Sequence, residues 1–173
     1  MAAPSDPRTL VLHGLRLKGF GEPPAVAEAV GLEEATVKPH LDALVDEGLV
    51  THREGAVSGF ALTPAGRSEH ARLLAEELDR HGVRDRIAAG YEAFLPHNRA
   101  LLEVCTRWQV RVVDGRSVVN DHTDAAYDAD VIADLVAVDA AAQPILAELG
   151  DALERFAGYG PRLANALARV QGG

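Results

Sequence analysis

The order of short segments over about the first sixty residues constrains the fold most. Apolar residues recur at helical spacing in three segments, and each segment is followed by a glycine, namely Gly19, Gly31 or Gly48. Two short extended segments, LVTHRE and SGFALT, come next and are joined by GAV. This order predicts three helices and a β-hairpin that pack together as one small domain.

The motif LTPAGR marks the start of a new helix. Thr63 is a good N-cap, and Pro64 fits the first helical position, where its missing N–H removes no hydrogen bond. We expect this helix to end at Gly82. Further helices are predicted from Val83 to about Val110 and from Ala125 to Phe156, with a kink at Pro96, a division near Pro144 and a last short helix after Pro161. The polar stretch VVDGRSVVNDHTD is expected to interrupt them.

The stretch GLEEATVKPHLDALVDEGLVTHREGAVSGFALTPAGR resembles the core of MarR-like bacterial transcription regulators, and the resemblance covers about residues 8–75. Matching features are the face TV..HLDAL, the GLV before the first strand and LTPAGR after the hairpin. In PadR-like regulators, which the arrangement also resembles, the helices after such a domain pair two subunits. The implied fold is mainly α: a winged helix-turn-helix domain with a small β-hairpin wing (residues 1–75) and a helical, homodimerising C-terminal domain (residues 76–173).

The resemblance also implies a DNA-binding surface. In winged-helix regulators the third helix enters the major groove of double-stranded DNA, and the hairpin lies along the backbone or minor groove. Side chains at matching positions that can contact phosphates or bases are Arg16, Lys18, Thr36, Lys38, His40, His52 and Arg53.

Pro39 lies inside the predicted third helix and leaves two interpretations open. If the helix begins at Glu33, the proline deletes an interior hydrogen bond, which costs about 3 kcal/mol or kinks the helix. If Thr36 is the N-cap, Pro39 falls in the first turn and costs nothing. In both cases the recognition helix is expected to be bent or shortened.

The charge balance points away from DNA. The chain has a formal net charge of −9, and residues 1–75 contain seven Lys/Arg against ten Asp/Glu. A domain that binds nucleic acid is usually basic. An alternative is therefore a winged-helix module that docks on a partner protein and lacks strong DNA binding.

An apolar series at helical spacing is expected to form a buried stripe, either as core or as a dimer seam: Leu101, Leu102, Val104, Cys105, Trp108 and Val112. The alternative is a pocket for an acidic small-molecule effector. Its walls would be Tyr91 and Trp108, and its cationic groups Arg107 and Arg111.

Oxygen and imidazole ligands also gather in the stretch NDHTDAAYDAD, which could hold a metal or cap the following helix. Cys105 is expected to be a buried thiol, although a nucleophile is conceivable. A small metal- or thiol-dependent protein is thus a second alternative. Because no catalytic motif is present, the sequence favours a protein that is not an enzyme and needs no cofactor.

No signal peptide is visible at the N-terminus, and no apolar run approaches the roughly 18 residues of a membrane span. The single cysteine cannot form an internal disulfide. A cytoplasmic protein without a membrane partner is the expectation.

Overall fold

The computed structural model describes residues 2–172, which form seven α-helices, two β-hairpins and one 3₁₀ turn. In chain order the elements are α1 (Pro7–Lys18), α2 (Pro23–Val30), α3 (Glu34–Asp46), β1 (Val50–Arg53), β2 (Gly59–Leu62), α4 (Pro64–His81), α5 (Arg84–Gln109), β3 (Val110–Val113), β4 (Arg116–Val119), α6 (Ala125–Ala152), the 3₁₀ turn (Glu154–Phe156) and α7 (Tyr159–Gly172). The predicted mainly α fold is confirmed.

The chain divides into two compact units. The N-terminal unit contains residues 2–84 and also residues 153–155, whereas the C-terminal unit contains residues 85–152 and 156–172. The expected boundary at residue 75 therefore lies within α4.

Local signals set the ends of the first three helices. The Asp6 side chain accepts a hydrogen bond from the backbone N–H of Arg8 at 2.9 Å and so caps α1. At the end of α3, Gly48 has φ 73°. Its N–H donates to the carbonyl of Val45, and the N–H of Leu49 donates to that of Leu44, each at 2.9 Å. This Schellman pair requires a left-handed residue and explains the glycine.

The first hairpin is fixed by register and by a third short segment. β1 and β2 pair antiparallel from Val50 opposite Leu62 to Arg53 opposite Gly59. Gly21, between α1 and α2, exchanges two backbone hydrogen bonds with Phe60, at 3.1 and 2.9 Å. The wing is therefore attached to the helices by backbone bonds as well as by side chains.

A single apolar core joins the three helices and the hairpin. Its fully buried members include Leu12 and Leu15 of α1 and Leu41 and Leu44 of α3, and the hairpin adds Phe60. Burial of such side chains stabilises the fold by roughly 1.5–3 kcal/mol each. The predicted domain of three helices and a hairpin is confirmed.

The LTPAGR motif closes this domain. Thr63 caps α4 by accepting a hydrogen bond from the N–H of Gly66 at 3.0 Å, while its own N–H donates to the carbonyl of Leu49 at 3.0 Å. A Cβ atom on Gly66 would lie 1.9 Å from the Leu49 oxygen. The first turn of α4 therefore packs directly on the backbone that leaves α3.

The C-terminal unit has a smaller core. Its buried cluster consists of Ala142, Leu146 and Leu149 on α6, and half-buried side chains pack around it: Ile87, Phe94, Ile145, Phe156, Tyr159 and Leu163. α5 continues through Pro96, and α6 continues through Pro144. The division expected near Pro144 is absent, so that prediction is wrong.

The stretch predicted as a polar interruption is a second hairpin. β3 and β4 pair antiparallel from Val110 opposite Val119 to Val113 opposite Arg116. Asp114 and Gly115 both have positive φ, 51° and 75°, which is the geometry of a type I′ turn. The Asp-Gly pair between two valine-rich segments is a sequence signal for this turn, and the interpretation as a polar interruption missed it.

The expected buried stripe on α5 is also wrong for a single chain. Of its members only Val104 is buried, whereas Leu102 is 59% exposed, Val112 is 72% exposed and Cys105 is exposed. Successive helical residues are rotated by about 100°, so the apolar residues form two neighbouring stripes. One stripe, which contains Val104, is turned away from solvent, and the other, which contains Leu102 and Cys105, faces outward.

Within the described range, none of the helices combines the length and apolarity needed to span a membrane.

Gly66→Ala should destabilise the protein by about 3 kcal/mol, because the added methyl group meets a backbone oxygen that cannot rotate away. Urea unfolding measures this change. The matched control is Gly158→Ala, since a Cβ at Gly158 meets no atom within 4 Å. Equal stability of the two variants would contradict the close packing at Leu49.

Candidate nucleic-acid interface

α3 is the element that could enter a DNA groove. Val37, Leu41 and Leu44 bury one face of the helix in the core. Its exposed face presents Lys38 and Asp42, with Pro39 between them. The helix axis and its outward residues are therefore fixed by the core of the N-terminal unit.

The structure decides between the two interpretations of Pro39. Glu33 is the N-cap of α3, and the N–H of Thr36 donates to the carbonyl of Glu33 at 2.9 Å. Thr36 thus lies in the first turn and is not the cap. Pro39 is the sixth helical residue, so the carbonyl of Ala35 receives no N–H from it. α3 nevertheless continues to Asp46.

Lys38 has an acidic neighbour on its own helix. Its Nζ atom lies 3.1 Å from Oδ2 of Asp42, one turn further along, and both side chains are more than half exposed. Because exposed pairs of this kind contribute little, a phosphate could displace Asp42. The same carboxylate would then stand close to the phosphate and repel it.

Acidic groups surround this position. Glu33, Glu34, Asp46 and Glu47 are also exposed on or at the ends of α3. Glu47 is neutralised by Arg8 of α1, whose two terminal nitrogens each lie 2.6 Å from one carboxylate oxygen. These hydrogen bonds lower the pKa of Glu47. The remaining acids leave the outward surface of α3 negative despite Lys38.

The wing offers one exposed guanidinium. The ring of His52 stacks on Phe60 with centroids 4.2 Å apart, and its Nδ1 atom lies 3.7 Å from Oε1 of Glu54. His52 therefore packs on β2. Arg53 stands at the end of β1 with its side chain exposed.

The other predicted DNA-contacting residues occupy α1 and α3. Arg16 and Lys18 are exposed in the last turn of α1, where positive charge is favoured by the helix dipole. The Nζ atom of Lys18 lies 3.9 Å from Oε2 of Glu28. His40 and Thr36 are half-buried on α3.

The four predicted effector-binding residues are not brought together. Tyr91 and Trp108 lie on the same helix, seventeen positions apart, which is about 26 Å along its axis. Arg107 is paired with Asp134, and Arg111 lies 3.1 Å from Asp124. These four residues of one chain therefore do not line one compact pocket.

The two arginines contact another aromatic side chain. The guanidinium carbons of Arg107 and Arg111 each lie 5.8 Å from the centroid of Tyr127. The Tyr127 hydroxyl donates to the carbonyl of Arg107 at 3.0 Å. α5, β3 and α6 are held together here by charged and aromatic groups.

The Asp/His stretch has the geometry of a cap. Asp124 accepts a hydrogen bond from the N–H of Tyr127 at 3.1 Å, and Asp121 accepts two from Thr123. Hydrogen bonds from Asn120 and His122 lower the pKa of Asp128. Among residues 2–172, no group of three or more His, Cys, Asp or Glu side chains is placed to hold a metal ion.

Cys105 differs from its prediction. Its thiol is exposed, because it lies on the outward stripe of α5 and not on the stripe that faces the core.

Some polar contacts of the N-terminal unit had no sequence signal. The Arg8–Glu47 pair joins residues thirty-nine positions apart, and the side chains of His13 and His70 meet across fifty-seven positions. Neither pair follows from spacing along one helix, so only the folded chain reveals it.

The order α1–α2–α3–β1–β2, the antiparallel wing and the shared core define a winged helix-turn-helix domain. No family model and no curated protein matches the sequence. Solved structures similar to the chain include that of BpsR from Bordetella bronchiseptica, whose DNA binding is regulated by 6-hydroxynicotinic acid. The identity is 23%, with 50% of this chain and 70% of BpsR covered and a TM-score of 0.41.

Another similar structure is that of a MarR family transcription regulator. It is 17% identical, with 59% of this chain and 74% of that chain covered, and the TM-score is again 0.41. The winged-helix assignment itself depends on the elements and pairing described above.

Pro39→Ala should stabilise the protein by about 2 kcal/mol, because alanine restores the hydrogen bond to Ala35 at an exposed helical position. Denaturant unfolding measures the gain. The control is Pro64→Ala at the first position of α4, where no bond is missing and little change is expected. Destabilisation by Pro39→Ala would show that α3 depends on the proline.

Proposed function

We propose that the protein is a cytoplasmic, homodimeric transcription regulator that binds double-stranded DNA and is not an enzyme. The observation that carries the proposal is the winged helix-turn-helix domain, with α3 anchored by Val37, Leu41 and Leu44 and its other face exposed. The wing is attached beside it through Gly21 and Phe60. A rigid helix with an exposed face next to a hairpin is what groove binding requires.

Lys38 and Arg53 are the main proposed DNA contacts, since both are exposed cations on the elements that approach DNA. Thr36 and His40 would contact phosphate or base edges from α3, and His52 would support the wing through Phe60. Arg16 and Lys18 would contact the backbone from α1.

The outward stripe of α5 supports a homodimer. Tyr91 and Leu102 are 58% and 59% exposed, and Cys105 lies between Leu102 and the exposed valines of β3. The neighbouring core of the C-terminal unit has only three buried members. Pairing of two such stripes about a twofold axis would bury apolar area that one chain leaves in water.

A small-molecule effector would act through the same helices. Arg107 and Arg111 are held by Asp134 and Asp124, and both contact Tyr127. An acidic ligand could compete for these guanidiniums and shift α5 relative to α6. In a dimer, that shift would change the spacing of the two α3 helices, which must match half-sites about one helical turn apart.

Asp42→Asn should strengthen DNA binding several-fold, because it removes a carboxylate beside Lys38. Lys38→Ala should weaken binding by a similar factor and reduce its salt dependence. The measurement is fluorescence anisotropy on a fragment selected from a random DNA pool, at two salt concentrations. Asp151→Asn, a change of equal charge in the C-terminal unit, is the control.

One observation favours a second candidate function. The acids around Lys38 give the exposed surface of α3 a negative balance. A module that docks on a partner protein would tolerate such a surface, whereas DNA would be repelled by it. Failure of the selection to enrich any fragment at either salt, together with no gain for Asp42→Asn, would favour the docking module.

Leu102→Glu should dissociate the dimer, because a charge would be buried at the centre of the outward stripe of α5. Sedimentation velocity measures the change in mass. Val57→Glu in the wing, 63% exposed in the N-terminal unit, is the matched control and should leave the mass unchanged. A monomeric parent protein, or an unchanged mass for Leu102→Glu, would contradict the proposed seam.

A further inference from the structure

The chain returns to the N-terminal unit after α6. Leu153, Glu154 and Arg155, called the return segment here, belong to that unit although residues on both sides of them belong to the other. Leu153 is fully buried. It forms a parallel bridge with Ala3, and the N–H of Glu154 donates to the carbonyl of Ala3 at 2.9 Å. The return segment is thus bound by both side chain and backbone.

A buried ion pair fastens the segment to α4. Nε of Arg155 lies 2.9 Å from Oε2 of Glu77, and the two side chains are only 7% and 5% exposed. Buried charges are costly unless they stay paired, so removal of one partner strongly destabilises such a contact. Attachment of the return segment therefore depends on the charges around Arg155.

Two histidines lie within reach of the Arg155 charge. Nδ1 of His13 on α1 lies 3.2 Å from Nε2 of His70 on α4, and the rings stack with centroids 5.4 Å apart. A hydrogen bond between two imidazole nitrogens needs one N–H and one lone pair. If both facing nitrogens carried a proton, two N–H donors would point at each other and the hydrogen bond would be lost.

The surroundings of the pair are cationic. Burial lowers the pKa of His13 to about 4, and the charge of Arg155 adds to this effect. Burial also lowers the pKa of His70, with contributions from Arg155 and Arg16. The pair is therefore neutral at pH 7.

We propose that the return segment is a proton-sensitive clasp: protonation of the His13–His70 pair repels Arg155 and detaches residues 153–155 from α4. The charges that act on the pair are those of Arg155 and, for His70, of Arg16 on α1. Glu77 is already engaged by Arg155, so the added positive charge has no free carboxylate to meet. The clasp goes beyond the proposed function, and it does not depend on what α3 binds.

The direction of the effect follows from linkage. Detachment removes the charge of Arg155 from His13, so the pKa of His13, about 4 in the attached state, rises towards its ordinary value and the proton is bound more tightly. Attachment is therefore strongest above pH 6.5 and weakens as the pH falls towards 4. The population of the detached state should therefore rise several-fold between pH 7.5 and pH 4.5.

Hydrogen–deuterium exchange of the full chain tests the clasp. The reporter is the Glu154 amide, and the reference is the fully buried Leu41–Leu44 region of α3. After correction for intrinsic exchange rates, acid should reduce protection at Glu154 several-fold while α3 stays protected. Unchanged protection at Glu154, or loss at Glu154 and α3 together, would overturn the proposal.

Two sets of variants test the histidine pair and the Glu77–Arg155 ion pair separately. His13→Asn with His70→Gln keeps a nitrogen donor near each contact but cannot be protonated, so the acid response at Glu154 should disappear. If that variant does not fold, Glu77→Leu with Arg155→Met replaces the buried pair by apolar groups and removes the repelled charge. Its acid response should also be lost. A full response in either folded variant would refute the mechanism.

Discussion

The burial of one face of α3 against α1 is the contact on which the rest of the N-terminal unit depends. Leu41 and Leu44 of α3 belong to the same core as Leu12 and Leu15 of α1, and all four side chains are fully buried. This packing fixes the rotation of α3, so it also fixes which residues face outward. It compensates for the hydrogen bond lost at Pro39, because helical stability in proteins comes mainly from tertiary packing. The core therefore determines which residues of α3 form the surface that we propose binds DNA.

Local chemistry was predictable where cause and effect lie within a few residues. Gly48 and Thr63 act on backbone groups of their own turns, so these helix ends could be predicted from the sequence. The same reasoning failed at Asp114 and Gly115, where the stretch VVDGRSVVNDHTD was taken as a polar interruption between helices although the Asp-Gly turn indicates a hairpin. The missed signal was present and local.

Long-range pairs were beyond such reasoning. The spacing of apolar residues along α5 predicts a helix that contains Leu102 and Val104. It does not predict which of the two side chains is buried within the chain. For the candidate site, sequence pattern placed Lys38 and Arg53 on the expected elements. It did not reveal that Arg8 neutralises Glu47, because that pairing requires the end of α3 to lie beside α1. Charge on a surface is a property of the fold as well as of composition.

The two halves of the molecule differ in how completely they bury their apolar residues. The N-terminal unit has a continuous core of eleven buried residues, whereas the cluster in the C-terminal unit has three. A helical unit whose apolar side chains are incompletely buried gains stability when it binds a partner or a ligand. The return segment belongs to the better-packed unit, yet α6 and α7 flank it in the chain. The proposed clasp therefore acts within the N-terminal unit, on a segment whose two neighbours along the chain, α6 and α7, belong to the other unit.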